Sequence, residues 1–252
     1  MVDTPEASAI TLRGVSAGYG SRRVLHQFHG AIPALADTVV VGPNGSGKST
    51  LLGVIAGVTP TTAGTVQHGA GMGTGCGMGT GMGSAARPAF VVQRSAVSDV
   101  LPLTARDTVA MGRWDRLGLW KRLSARDWSV VDTSMERLGV RDLAGRQLGE
   151  LSGGQRQRVL VAQGLAQEAG LILLDEPTTG LDLAAQRRIA QVIGEVKSEG
   201  VTVVQATHDL AAARRADHCL LLQDGRLVGE GAPAAVLTDA ALEEVWQLPR
   251  RV

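Results

Sequence analysis

The chain has 252 residues, 44% of them hydrophobic and 3% aromatic, with a net charge of +1. That length suits one large α/β domain or two small ones with a core of Leu, Val, Ala and Ile, and the near-neutral balance excludes a strong electrostatic drive toward nucleic acid or anionic lipid. No apolar stretch approaches the roughly 20 residues of a membrane-spanning helix, the first nine residues are polar and unlike a secretory leader, and two cysteines, Cys76 and Cys219, make no disulfide framework, so a reduced, cytoplasmic setting is expected.

Residues 10–12 and Val15 read as an opening strand that ends near Gly18-Tyr19-Gly20. Residues 38–41 form a short β-branched run leading directly into Gly42-Pro43-Asn44-Gly45-Ser46-Gly47-Lys48-Ser49. This stretch fits G-x-x-x-x-G-K-[ST], and residues 50–56 then read as a helix closed by Gly57. Strand, glycine loop and helix are the context the motif requires. A triphosphate is a dense negative charge, and glycines let backbone N–H groups converge on it without the clash of a Cβ atom. The helix N-terminus behind the loop, at Thr50, adds a partial positive charge. Lys48 is expected to reach the β and γ phosphates and the Ser49 hydroxyl to coordinate Mg²⁺.

Residues 65–67 and 89–92 read as strands. Between them, residues 69–84 are almost entirely Gly, Met, Thr and Ala, a composition with little to bury, so a mobile loop is expected. Met72, Met78, Met82, Cys76 and nearby His68 can be read as ligands for a soft metal such as Cu(I), or as parts of a glycine-rich insertion with no specific role. Residues 104–149 are mostly helical in pattern, with a capping-box-like start at Thr104–Asp107 and a second helix over 126–138 stopped by Gly139. Leu151-Ser152-Gly153-Gly154-Gln155 contains S-x-x-Q, itself a capping box, and a capped helix end with two glycines is also a ready anion site. Residues 171–174 are a continuous apolar run suited to a strand buried on both faces of a parallel sheet, followed by Asp175-Glu176-Pro177. Residues 201–206 are similar and precede Thr207-His208-Asp209. Residues 219–223 and 226–228 flank Asp224-Gly225, a hairpin signal, and 238–247 read as a terminal helix. No linker divides the chain, so 1–252 is expected to form one domain with a helical subdomain at about 94–150 inserted in an α/β core.

The glycine loop followed by LSGGQ resembles the ATP-binding-cassette family, the nucleotide-binding subunits of ABC transporters, over most of the chain. The resemblance implies a P-loop NTPase core with an antiparallel β subdomain and an inserted helical subdomain, acting on ATP with Mg²⁺. Residue by residue, Leu171 to Pro177 resembles the Walker B strand, with Asp175 holding Mg²⁺ through a water and Glu176 polarising the attacking water. Tyr19 matches the aromatic that stacks on adenine. Gln93 matches the glutamine that senses Mg²⁺ and water, Asp182 the loop that crosses the dimer interface, and His208 the histidine that contacts the γ-phosphate. Ser152, Gly153, Gly154 and Gln155 would press on the nucleotide held by a second copy of the chain, so that two protomers sandwich ATP head to tail. Within the family, Leu103 to Trp114, Gly118 to Trp120 and Arg146 to Glu150 look like the zinc, manganese and iron importers, most closely the zinc-import ATPases of actinobacteria. That implies an integral membrane permease as partner, an extracytoplasmic binding protein delivering the metal, and a place on the cytoplasmic face of the membrane. The alternatives are an importer of ferric siderophores or cobalamin, and a soluble ABC ATPase acting on DNA or ribosomes. Against the last stand a single cassette and the absence of a basic excess.

Overall fold

The computed structural model describes residues 8–69, 87–92, 102–114 and 122–246. Gln93, residues 118–120 and all but Gly69 of the Gly/Met-rich stretch lie outside the described residues, Met72, Cys76, Met78 and Met82 among them.

In chain order the first half runs β1 Ser8–Tyr19, β2 Arg22–Pro33, β3 Asp37–Val41, α1 Lys48–Ile55, β4 Thr61–His68, β5 Ala89–Val91, α2 Ala105–Ala110 and α3 Ala125–Arg137. The second half runs α4 Gly153–Ala166, β6 Leu171–Asp175, α5 Leu183–Ser198, β7 Thr202–Thr207, α6 Leu210–Ala213, β8 His218–Gln223, β9 Arg226–Gly231, α7 Pro233–Val236 and α8 Asp239–Trp246. Two sheets organise these elements. One is antiparallel, in the order β2-β1-β4; the other has the order β5-β6-β7-β3-β8-β9 and is parallel except for the β8–β9 hairpin. Among the described residues no helix is long and apolar enough to cross a membrane.

The parallel sheet is buried on both faces, which explains why its strands are continuous apolar runs rather than alternating ones. On one face Leu171, Leu173, Val204, Val40 and Leu220 pack with α1 and the antiparallel sheet. On the other, Ile172, Leu174 and Val203 pack with α2, α3, α4 and α5. Val39, Val41, Cys219 and Leu221 close a third cluster with α6, α7 and α8. Burial raises the Cys219 thiol to about 12, which leaves it an apolar packing group.

Two elements go beyond the sequence expectations. In β2 the buried residues are Leu25, Phe28 and Ile32, so the strict two-residue alternation is broken between Leu25 and Phe28. Register shifts in its pairing with β1 and a positive φ of 46° at Gln27 mark the irregularity, and such a bulge erases the period by which a strand is recognised. The helix α5 buries Ala185, Ile189, Val192, Ile193 and Val196, an ordinary helical stripe that was available in the sequence.

The helical block is fixed to the core by its caps and one buried cation. Capping boxes at Thr104 and Ser124 start α2 and α3. Arg113 is 4% exposed and donates to Asp127 Oδ1 at 3.0 Å, to the Ala166 carbonyl at 2.7 Å and to Glu168 Oε2 at 2.8 Å. It thereby joins the end of α2 to α3 and to the last turn of α4. Arg158, from α4, donates to the carbonyls of Leu138 and Gly139 at 3.0 and 2.9 Å and satisfies the C-terminal end of α3.

Candidate nucleotide-binding site

In an open α/β sheet ligands bind beyond the carboxyl ends of the strands. Three neighbouring parallel strands, β6, β7 and β3, end here in one row, because Asp175 pairs with Ala206 and Val41 with Thr207. Past β3 comes the glycine loop, past β6 the pair Asp175–Glu176, and past β7 His208. Three motifs that lie far apart in sequence, at residues 42–49, 175–176 and 208, are brought to one edge by strand order alone.

The loop folds back on itself through Ser46 N–H to the Pro43 carbonyl at 3.2 Å and is anchored from outside by Gly225 N–H to the Ser46 carbonyl at 3.0 Å. Lys48 is 6% exposed and its Nζ donates to the Gly42 and Pro43 carbonyls at 2.8 and 3.1 Å, which holds the ammonium over the cradle. Burial pulls the Lys48 pKa down, opposed by the charges of Glu176 and Asp175. The helix α1 starts at Gly47, in a left-handed conformation with φ 101°, and has no side-chain cap. By contrast α2, α3, α4, α5 and α6 are capped by Thr104, Ser124, Ser152, Asp182 and Asp209. An uncapped helix end behind a glycine loop, with a lysine poised above it, is suited to a phosphate chain.

At Gly47 a Cβ atom would lie 2.9 Å from Leu25 Cδ2 in a backbone conformation that L-residues rarely adopt. Gly47→Ala is therefore expected to cost about 1–3 kcal/mol of local strain. Titration with a fluorescent ATP analogue should show binding weakened by roughly tenfold or more, since the strain falls on the phosphate cradle. The contact also places Val24 and Leu25, near the start of β2, beside the loop. Tyr19, at the end of β1, is 59% exposed.

Asp175 is buried, and its Oδ1 has no hydrogen-bond partner. Burial raises its pKa, opposed by a hydrogen bond from Ser49 and by the charge of Lys48; the neighbouring Glu176 charge adds to the rise. A buried carboxylate oxygen without a partner, beside a serine hydroxyl, is the oxygen-donor set a hard divalent cation takes, so the residues fit Mg²⁺. No group of three or more His, Cys, Asp or Glu suited to a metal occurs among the described residues, and His68 lies at the end of β4, away from this edge.

Glu176 has φ 48°, an unusual backbone for a residue with a long side chain. Its N–H donates to the Ala206 carbonyl at 3.1 Å, and its Oε2 accepts from Thr179 Oγ1 at 3.0 Å. The same Oε2 lies 3.6 Å from His208 Nδ1. Glu176 is mostly shielded and His208 half exposed, so the carboxylate is set behind the imidazole. The loop carrying His208 is fixed by Asp209, whose N–H donates to Thr207 Oγ1 at 3.0 Å and whose Oδ1 caps α6.

Ser152 and Gln155 form both halves of the capping box: Gln155 N–H to Ser152 Oγ at 3.3 Å and Ser152 N–H to Gln155 Oε1 at 2.9 Å. Asp182 caps α5 through Ala185 N–H at 2.8 Å. A Cβ on Gly154 would sit 3.6 Å from Ala185 Cβ and 3.8 Å from Asp182 Oδ2, so the Gly154 turn and the Asp182 loop touch within one chain. The helix behind Ser152 belongs to the core on one face of the parallel sheet, and the helix behind the glycine loop to the core on the other. Residues not singled out from the sequence also shape the site: Val24 and Leu25 wall the loop, and Thr179 holds Glu176. The wall sits in the irregular strand β2. For Thr179 the signal was available, since a threonine three residues after an acid beyond a proline can close a turn.

A family model described as ABC transporter matches residues 25–179. The manganese transport system ATP-binding protein of Bacillus subtilis is 33% identical over 237 residues, covering 94% of this chain and 92% of that protein. The zinc transport system ATP-binding protein of Treponema pallidum is 33% identical, covering 95% of this chain and 87% of that protein. Among solved structures, a metal-chelate type ABC transporter in an inward-facing conformation aligns with a TM-score of 0.80 at 28% identity, covering 96% of this chain and 90% of that one.

Proposed function

The chain belongs to the ABC transporter family, and from that premise we propose that it is the ATP-hydrolysing subunit of a metal-ion importer carrying zinc or manganese. The observation that carries the ATPase reading is the meeting of the glycine loop, Asp175–Glu176 and His208 on adjacent strand ends, with Glu176 Oε2 facing His208 Nδ1. The cargo reading is supported by near full-length similarity to manganese and zinc transport proteins and by the helical block from Leu103 to Glu150.

In this reading the loop from Gly42 to Thr50 wraps the phosphates, Lys48 neutralises the β and γ oxygens, and Tyr19 stacks on the adenine. Ser49 and Asp175, with Gln93, would hold Mg²⁺. When bound, that ion supplies positive charge to the phosphate oxygens as the terminal bond breaks. Glu176 takes the proton of the attacking water, and His208 orients the terminal phosphate. Ser152, Gly153, Gly154, Gln155 and Asp182 complete the site of a second copy. The placement of α1 and α4 on opposite faces of the sheet supports this, because a site built from both helix ends draws them from two chains. Two protomers then close on two ATP molecules and drive an integral membrane permease from its cytoplasmic face, with an extracytoplasmic binding protein supplying the metal. No role for nucleic acid is proposed. Residues 1–252 act as one domain, with about 94–150 as the permease-facing helical subdomain. A chelate importer is the second reading, favoured by the likeness to a metal-chelate type transporter.

The test is elemental analysis of cells carrying the wild-type chain or Glu176→Gln, grown with limiting metals. A selective loss of zinc or manganese in the variant is expected. Unchanged metal content, with uptake of a chelate lost instead, would replace the cargo assignment by the second reading.

A further inference from the structure

We propose that Thr179 is a positioning residue for hydrolysis, its hydroxyl holding the Glu176 carboxylate in the orientation that accepts a proton from the attacking water. The inference rests on the reading of Glu176 as the general base and adds the group that aims it.

The geometry has two independent clamps. Thr179 N–H donates to the Glu176 carbonyl at 3.3 Å, closing a four-residue turn with Pro177 in its second position, where proline is favoured. Thr179 Oγ1 then donates to Glu176 Oε2 at 3.0 Å, so the residue that closes the turn also fixes the side chain at its start. That second clamp has a particular value here. Glu176 holds φ 48°, so its side chain leaves the backbone in an unusual direction, and a long carboxylate on such a backbone needs an external tether to keep one rotamer. Oε2 is also the oxygen that His208 Nδ1 faces at 3.6 Å, so the tether sets the distance between the base and the histidine. Thr179 is followed by Gly180, with φ 69°, and then by Leu181 and Asp182, which lie against Gly154. A displacement of the Leu181–Asp182 loop, which in the proposed dimer crosses between protomers, is therefore passed to the base through Thr179. Proximity effects of this kind are steep: a misplacement of about 1 Å can cost on the order of 10²-fold in rate.

Thr179 is solvent-exposed, so its substitution removes no core packing. Thr179→Val keeps the branched shape without the donor, and Thr179→Ser keeps the donor without the methyl. Steady-state ATP hydrolysis by the purified full chain should show kcat lowered roughly tenfold or more in the valine variant, with KM for ATP within about twofold of the parent. The serine variant should recover most of the loss. In a Glu176→Gln background, followed by single-turnover hydrolysis of radiolabelled ATP, adding Thr179→Val should cause no further slowing, because the group being aimed is already gone. Parental kcat in Thr179→Val overturns the proposal, as does a serine variant as slow as valine. So does an equal fold-loss in the Glu176→Gln background, which would mean that Thr179 acts elsewhere. Parental turnover in Glu176→Gln alone is a different result: it removes the base assignment itself.

Discussion

Glu176→Gln is expected to lower kcat by roughly 10²–10⁴-fold, the contribution of a well-placed general base, while ATP still binds. The argument is one of shape against charge. Gln has nearly the volume of Glu, and its amide oxygen can still accept from Thr179 Oγ1, so the Glu176–Thr179 turn and its anchor to the Ala206 carbonyl are retained. What is lost is the ability to take a proton. With hydrolysis stopped and the phosphate-binding groups intact, the ATP-bound pair of protomers should persist, and size-exclusion chromatography with ATP and Mg²⁺ should show a dimer in the variant where the parent elutes as a monomer after turnover. Hydrolysis at the parental rate would remove Glu176 from the role of base.

Ser152→Arg tests the other half of the site. Ser152 is exposed, so arginine can be accommodated within the monomer. The substitution removes the Gln155 N–H acceptor, a cap worth about 1 kcal/mol, and places a cation at a helix end whose partial charge is already positive. It also puts a long side chain where a second protomer must approach. Turnover is expected to fall by roughly 10²-fold or more, as when a transition-state donor is removed, with monomer ATP affinity nearly unchanged by titration. Ser152→Ala, which loses the hydroxyl and its cap but adds neither bulk nor charge, separates loss of that group from blocked closure: it should still form the ATP-bound dimer that Ser152→Arg cannot. Unchanged turnover in Ser152→Arg would take the signature out of the active site.

Much of this site is written locally. The run from Val41 through Lys48 specifies strand, loop and helix by itself, because left-handed glycines and the following helix end are short-range consequences of residue type. The same holds for the capping boxes at Thr104, Ser124 and Ser152 and for the Asp224-Gly225 turn. Helix boundaries moved only slightly: α1 begins at Lys48, two residues before the stretch expected from 50–56, because the loop's last glycine serves as its N-cap.

Other features had no local signal. The strand β2 is bulged, and its walls, Val24 and Leu25, meet Gly47 only after the antiparallel sheet has docked on α1. The 3.6 Å approach of His208 to Glu176, the 3.0 Å bond from Thr179, and the contact of Gly154 with Asp182 and Ala185 also emerge only in three dimensions. The sequence alone therefore determined which residue types are present to bind phosphate, hold a cation and move a proton. The tertiary structure decided which of them meet, because inserting β7 between β3 and β6 aligns three strand ends whose spacing along the chain carries no record of their distance in space.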